Sequence, residues 1–166
     1  MMFDFDKPIV FEIEVANLDS AVKWQNLIQT LMSETDLFTI GSMRDGNSET
    51  DFNDYKAVTL LLIAKQESMS QPVGIGSVSR GEVGLAILKQ FQRAGLGQLL
   101  LTELITWAEE NDIFELWLDV QTNNQVAIHI YHKFNFVNQG YETSFTLPNG
   151  KVAKLQRMTK YLKEKE

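Results

Sequence analysis

The sequence predicts a mixed α/β fold of the α+β kind, and three observations predict it. Short runs alternate apolar and polar residues with period two, as in Phe11, Ile13 and Val15 against Glu12 and Glu14. Other stretches repeat apolar residues at helical spacing, as in Leu96, Leu100, Leu104, Trp107 and Ala108. Three strand-like runs follow one another without a helix between them, which reads as an antiparallel meander and excludes a purely alternating βαβ chain.

In order, Ile9 to Val15 is the first strand. Asn17 or Asp19 caps a helix whose stripe is Ala21, Trp24, Leu27, Ile28 and Leu31, ending near Met32. Glu34 to Tyr55 is polar, with turn formers from Met43 to Glu49, and is expected to be a loop or short helix over a binding face. Ala57–Lys65, Val73–Arg80 and Glu82–Leu88 form the meander, with turns at Gln71-Pro72 and Arg80-Gly81. Gly95 to Glu110 is a second helix, stopping near Asn111. Phe114 to Gln121 is a strand with Leu116, Leu118 and Val120 opposed to Trp117, Asp119 and Gln121. Asn123 or Asn124 caps a shorter helix with the stripe Val126, Ala127, Ile130, Tyr131 and Phe134. A strand begins at Phe136, and Leu147-Pro148-Asn149-Gly150-Lys151 turns a closing hairpin that ends near Leu162, after which Lys163 to Glu166 fray. With no repeat and no linker, residues 1–166 are expected to form one domain with a core at about 9–162.

Composition narrows the chemistry. With no cysteine, disulfide scaffolds, thiolate metal sites and cysteine nucleophiles are excluded. Fifteen Lys plus Arg against 22 Asp plus Glu give a net charge of −7, which disfavours a nucleic-acid partner and suits a cationic one. The N-terminal Met1-Met2-Phe3-Asp4-Phe5-Asp6 lacks the basic region of an export signal, and no apolar run approaches the ~20 residues of a membrane span. A cytoplasmic, soluble protein with no membrane partner is expected. His129 and His132 lie three apart on one helix without a third ligand nearby, so they read as exposed helix residues, and no metal is expected. Glu34, Asp36, Asp51 and Asp54 read as solvated charges, or alternatively as an acidic rim for an amine.

The informative stretch is Gln92-Arg93-Ala94-Gly95-Leu96-Gly97-Gln98, between a strand and a strong helix. Glycines let the backbone approach a bulky anion, and the first helical turn leaves unpaired N–H groups with the positive end of the dipole behind them. Together they make a phosphate cradle. A dinucleotide fingerprint would need glycine or alanine at Leu100, and a P-loop would need Lys-Ser/Thr at Gln98-Leu99, so both fail. The remaining competitor is a plain strand-to-helix turn.

The Q-x-x-G-x-G pattern of Gln92 to Gly97 resembles the acetyl-CoA motif of the GNAT N-acetyltransferases. The same resemblance continues in Leu116-Trp117-Leu118-Asp119-Val120 followed by Asn124, Ala127, Tyr131, Lys133 and Phe136. Two departures are Asn135 where the family has glycine and the missing proline between the fourth strand and the glycine motif; Asn is the non-glycine residue best suited to a left-handed helix end.

The resemblance implies a central, mostly antiparallel sheet of about seven strands, flanked by helices, with the fourth and fifth strands splayed. It implies acetyl-CoA as co-substrate, its pantetheine arm along Ala86, Ile87 and Leu88 and its pyrophosphate on the amides of Arg93, Ala94, Gly95, Leu96, Gly97 and Gln98, with Gln92 and Asn124 also at the cofactor. Tyr131 matches the family's general acid, and a phenol with a reference pKa of ~10 stays protonated at neutral pH. Tyr131 otherwise reads as one more core aromatic. Glu82 and Asp119, on the strands flanking the split, are the candidate general bases, and each otherwise reads as a solvated strand carboxylate. The implied activity is direct acetyl transfer in a ternary complex to a small amine or a protein N-terminus, with a homodimer through the terminal strands as a further implication. The other readings are a non-catalytic acyl-CoA-sensing module and a nucleotide-phosphate protein using the same glycine turn.

Overall fold

A computed structural model describes residues 2–34, 56–92 and 95–162. The elements are β1 (Val10–Val15), α1 (Ala21–Glu34), β2 (Ala57–Gln66), β3 (Met69–Ser79), β4 (Glu82–Ile87), α2 (Leu96–Glu110), β5 (Glu115–Gln121), α3 (Gln125–Lys133), β6 (Val137–Asn138), β7 (Thr143–Thr146) and β8 (Val152–Tyr161). The eight described strands form one sheet in the order β1-β2-β3-β4-β5-β8-β6, with β7 also paired to β8. Every pairing is antiparallel except β4 with β5. The expected α+β class therefore holds, with one strand more than the resemblance implied. The expectations for residues 35–55, including Asp36, Asp51 and Asp54, and for Arg93, Ala94 and Lys163 to Glu166, lie outside the described residues.

One turn falls elsewhere than the sequence suggested. β2 passes to β3 through Glu67-Ser68, with Gln66 opposite Met69 and Glu67 at φ 54, the positive value a two-residue hairpin requires. Pro72 is inside β3, where the β2–β3 register slips between Leu62 and Ile63. A proline lacks a ladder N–H, and a bulge is where a strand can accommodate one; β4 has also ended, its last partner on β3 being Gly74. The Arg80-Gly81 turn is as expected, with φ of 51 and 83, the signature of a type I′ hairpin. Gly81 also faces a close neighbour, since a β-carbon there would meet Glu115 O at 2.9 Å. The strand expected from Phe136 shrinks to Val137–Asn138, and Phe136 instead is fully buried against Tyr131, with ring centroids 5.6 Å apart. Asn135 adopts φ 71 after α3, the left-handed conformation expected of it.

α2 positions the site. It buries Leu96, Leu100, Leu101, Leu104, Ile105 and Ala108, each leucine contributing roughly 1.5–3 kcal/mol when removed from water. The helix packs on β3 and β4 closely enough that a β-carbon on Gly76 would lie 2.9 Å from Leu104 Cδ1. The link from β4 to α2 is pinned by Phe91, which packs edge-on to Phe3 and Phe11 and tilted to Phe5, at 5.7, 6.1 and 5.3 Å. Gln92 Nε2 donates back to Ile87 O at 2.9 Å, tying the loop to the end of β4.

Candidate active site

β4 and β5 touch at a single register pair, Glu82 with Trp117, and Trp117 N donates to Gly81 O at 2.9 Å just below it. Beyond that pair no described strand is hydrogen-bonded to the β5 side of β4, from Val83 to Ile87. The split opens into a cavity of about 430 Å³. Its wall combines Ala86 and Ile87 of β4, Gln92, Gly95, Gly97 and Gln98 at the mouth of α2, and Asn124 and Tyr131 at α3.

The mouth of α2 has features that an anion can use. Gly95 caps it at φ 72, ψ 14, a left-handed conformation that costs other residues dearly, and no side chain caps the helix. Among the described residues the first bond of this turn runs from Leu99 N to Gly95 O at 3.1 Å, and the amides ahead of it, at Leu96, Gly97 and Gln98, are those that a helix start leaves without a partner in its own ladder. No acidic residue occupies the first turn, where it would repel an anion. Lys133, from the end of α3, donates to Gln98 Oε1 at 3.2 Å and brings a cation to this mouth.

Tyr131 is 8 % exposed, and burial pushes its pKa from 10.0 up to about 12. It is therefore a neutral phenol throughout the physiological range, with a proton to donate into the cavity it lines. Asn124 caps α3, its Oδ1 accepting from Ala127 N at 3.2 Å, while it also faces the cavity. Both readings of that residue are thus compatible.

Several expected residues stand apart. Leu88 has its side chain in the core and its N–H donates to Val73 O of β3 at 2.8 Å, whereas Leu96, whose expected role was its backbone amide, buries only its side chain. Glu82 and Asp119 are not on the cavity wall. They lie with Trp117 on the sheet face opposite Leu116, Leu118 and Val120. Asp119 is held by Arg157, Nε to Oδ1 and Nη2 to Oδ2, both at 3.0 Å. Glu34, read as a rim or solvated charge, instead accepts Lys89 N at 3.0 Å at the end of α1. Among the described residues no three metal-binding side chains gather, and His132 Nδ1 lies 3.2 Å from Phe136 O.

Leu31, Leu85, Val126, Ala127 and Ile130 complete the apolar wall. The last three belong to a stripe that reads as core in the sequence, because a helix lining an apolar cavity has the same period as one covering a core.

A profile described as the Acetyltransferase (GNAT) family matches residues 24–136. The chain belongs to that family. Among solved structures, a GNAT acetyltransferase from Streptococcus pneumoniae superposes with a TM-score of 0.76 at 27 % identity, over 92 % of this chain and all of that one. In sequence, the chain is 40 % identical over 52 residues to the [ribosomal protein bS18]-alanine N-acetyltransferase of Salmonella typhimurium, covering 31 % of this chain and 35 % of that protein. It is 36 % identical over 59 residues to streptothricin acetyltransferase A of Bacillus subtilis, covering 36 % of this chain and 34 % of that one. The matched stretches thus span about a third of either curated relative. The names of those two relatives point to unlike acceptors, an alanine of ribosomal protein bS18 and streptothricin. No helix among the described residues is long and apolar enough to cross a membrane.

Proposed function

We propose that the protein transfers an acetyl group from acetyl-CoA to a primary amine by direct attack in a ternary complex. The observation that carries this reading is that the uncapped N-terminal turn of α2, the unpaired edge of β4 and the Tyr131 phenol line one cavity. The amides of Leu96, Gly97 and Gln98 suit the pyrophosphate, with Lys133 adding positive charge and the β4 edge offering backbone groups to the amide-bearing pantetheine arm.

In the reaction the amine nitrogen attacks the thioester carbonyl carbon, the new C–N bond forms and the C–S bond breaks. The departing thiolate takes the Tyr131 proton, which is present at neutral pH because the phenol's pKa is about 12, and the proton that the attacking nitrogen sheds as it becomes an amide restores the phenol. The ammonium form of an acceptor must first lose a proton, for which Glu82 and Asp119, on the strands flanking the split, are the carboxylates at hand. The absence of cysteine removes a thioester enzyme intermediate from consideration. The acceptor class we favour is a free protein N-terminus, because the relative with the higher identity is named for N-acetylation of an alanine of a ribosomal protein, and an alanine in a protein has a free amine only at the N-terminus.

Thiol release from acetyl-CoA, followed with a disulfide dye, tests this with a peptide bearing N-terminal alanine, with streptothricin and with spermidine. Turnover is expected with the peptide, falling roughly 100-fold in Tyr131→Phe. Tight acetyl-CoA binding without turnover on any of the three, indifferent to Tyr131→Phe, would instead mark a sensing module.

A further inference from the structure

β1 pairs with β2 as far as Val10 opposite Lys65, and ahead of Val10 the chain leaves the ladder. A side chain takes over from the ladder there. Gln66, the last residue of β2 and only 6 % exposed, accepts Asp4 N on Oε1 at 2.8 Å and donates Nε2 to Asp4 O at 2.8 Å. Pro8 O and Lys7 O lie 3.3 and 3.4 Å from the same Nε2. A buried amide needs partners for its donors and its acceptor, and this one finds them along one short stretch, residues 3–8. That stretch is folded on itself as well, with Lys7 N donating to Asp4 O at 3.1 Å and Asp6 N to Asp4 Oδ1 at 3.0 Å.

The clamped segment presents Phe3 and Phe5 to Phe91, with ring centroids at 5.7 and 5.3 Å, and Phe11 of β1 adds a third ring at 6.1 Å. Two of these three rings come from chain that no strand pairing holds. Phe91 is buried and ends the single 3-10 turn Lys89–Phe91 between β4 and α2. Glu34 of α1 holds the start of that turn through Lys89 N at 3.0 Å, and the phenylalanines hold its end. Gln92 follows directly, lines the cavity, and donates Nε2 at 2.9 Å to the carbonyl of Ile87, which lines it too. Described contacts therefore run without a break from Gln66 through Asp4, the phenylalanine cluster and Phe91 to Gln92 on the cavity wall.

We infer that Gln66 is a positioning residue for acetyl-CoA: it clamps residues 3–8, which seat Phe91 and so fix Gln92 at the mouth of the cavity. This rests on the acetyltransferase reading and deepens it. Gln66 does not line the cavity and acts only through the segment it holds. Coupling between two sites is reciprocal, so the factor by which the closed clamp raises acetyl-CoA affinity is the factor by which bound acetyl-CoA favours the closed clamp.

Calorimetry with acetyl-CoA, thiol-release kinetics on the N-terminal-alanine peptide and amide hydrogen exchange test this on the full chain. Gln66→Met keeps the length of the side chain and removes its hydrogen bonds to the segment. Phe5→Ala removes a ring that is already half-exposed, and so leaves a folded variant to measure if Gln66→Met does not fold. Gln66→Met is expected to weaken acetyl-CoA binding about fivefold and to raise the KM for acetyl-CoA by the same factor with kcat unchanged. Phe5→Ala shifts both in the same direction by a smaller factor. In the wild type, saturating acetyl-CoA is expected to slow exchange of the Asp4 amide about fivefold. Unchanged acetyl-CoA affinity in the folded variants, or Asp4 exchange indifferent to acetyl-CoA, overturns the inference. A fall in kcat at saturating acetyl-CoA also overturns it, since that marks a general loosening of the fold. Wild-type protein that binds no acetyl-CoA overturns the acetyltransferase reading itself, whatever the variants do.

Discussion

Gly97 on the first turn of α2 faces Leu85 of β4 across a gap that a methyl group fits: a β-carbon added to Gly97 would lie 3.9 Å from Leu85 Cδ2, an ordinary contact. Among the described residues no neighbour therefore requires glycine at this position. Gly97→Ala is expected to leave the fold intact and to raise stability by roughly 0.5 kcal/mol, through the better helix propensity of alanine. The same methyl group stands in front of the amides of the cradle, so acetyl-CoA affinity is expected to fall at least tenfold, about 1.4 kcal/mol. Denaturant melts and calorimetry on one preparation separate the two effects.

Asn124 has two roles that substitution can divide. Asn124→Ala removes the acceptor for Ala127 N and is expected to cost about 1 kcal/mol of stability. Asn124→Asp keeps a capping oxygen, and so the helix, but replaces an amide donor with a negative charge on the cavity wall. Its stability is expected to match wild type, while its acetyl-CoA affinity falls. Equal affinity in the Asp variant would assign the residue to the cap alone.

The Tyr131 phenol links pH to stability. Its folded pKa of about 12 lies above the 10.0 of an exposed tyrosine, so the folded state holds the proton longer than the unfolded one. The stabilisation is complete below pH 10 and is lost as pH rises through 12. At pH 11 the loss is about 1.4 kcal/mol relative to pH 8. Urea melts at the two values should show a drop larger by that amount in the wild type than in Tyr131→Phe, with the other tyrosines cancelling in the comparison.

Ser77 on β3 is 4 % exposed, and among the described residues its hydroxyl has no hydrogen-bond partner. A buried hydroxyl without a partner carries a desolvation cost that its removal recovers. Ser77→Ala is expected to raise stability by about 1 kcal/mol, measured by the denaturation midpoint at unchanged slope.

What the sequence made legible follows from what is local. The Arg80-Gly81 turn, the Asn124 cap, the left-handed Asn135 and the cradle at Gly95 and Gly97 each depend on a residue type and its immediate neighbours. Pro72 signals a turn in the sequence yet lies within β3, because a proline breaks a strand only where the ladder needs its N–H, and here a bulge removes that need. The partnership of Asp119 with Arg157 spans 38 positions and exists only because β5 and β8 align them in register. Glu34 reaching Lys89 N across 55 positions is invisible for the same reason.

Calorimetric titration of the wild-type chain with acetyl-CoA and, separately, with ATP tests the central claim most directly, because the cradle is read as specific to the whole CoA carrier and not to phosphate as such. One acetyl-CoA is expected to bind per chain, in a complex that ATP does not displace and that Gly97→Ala weakens. Binding of ATP without binding of acetyl-CoA would contradict it.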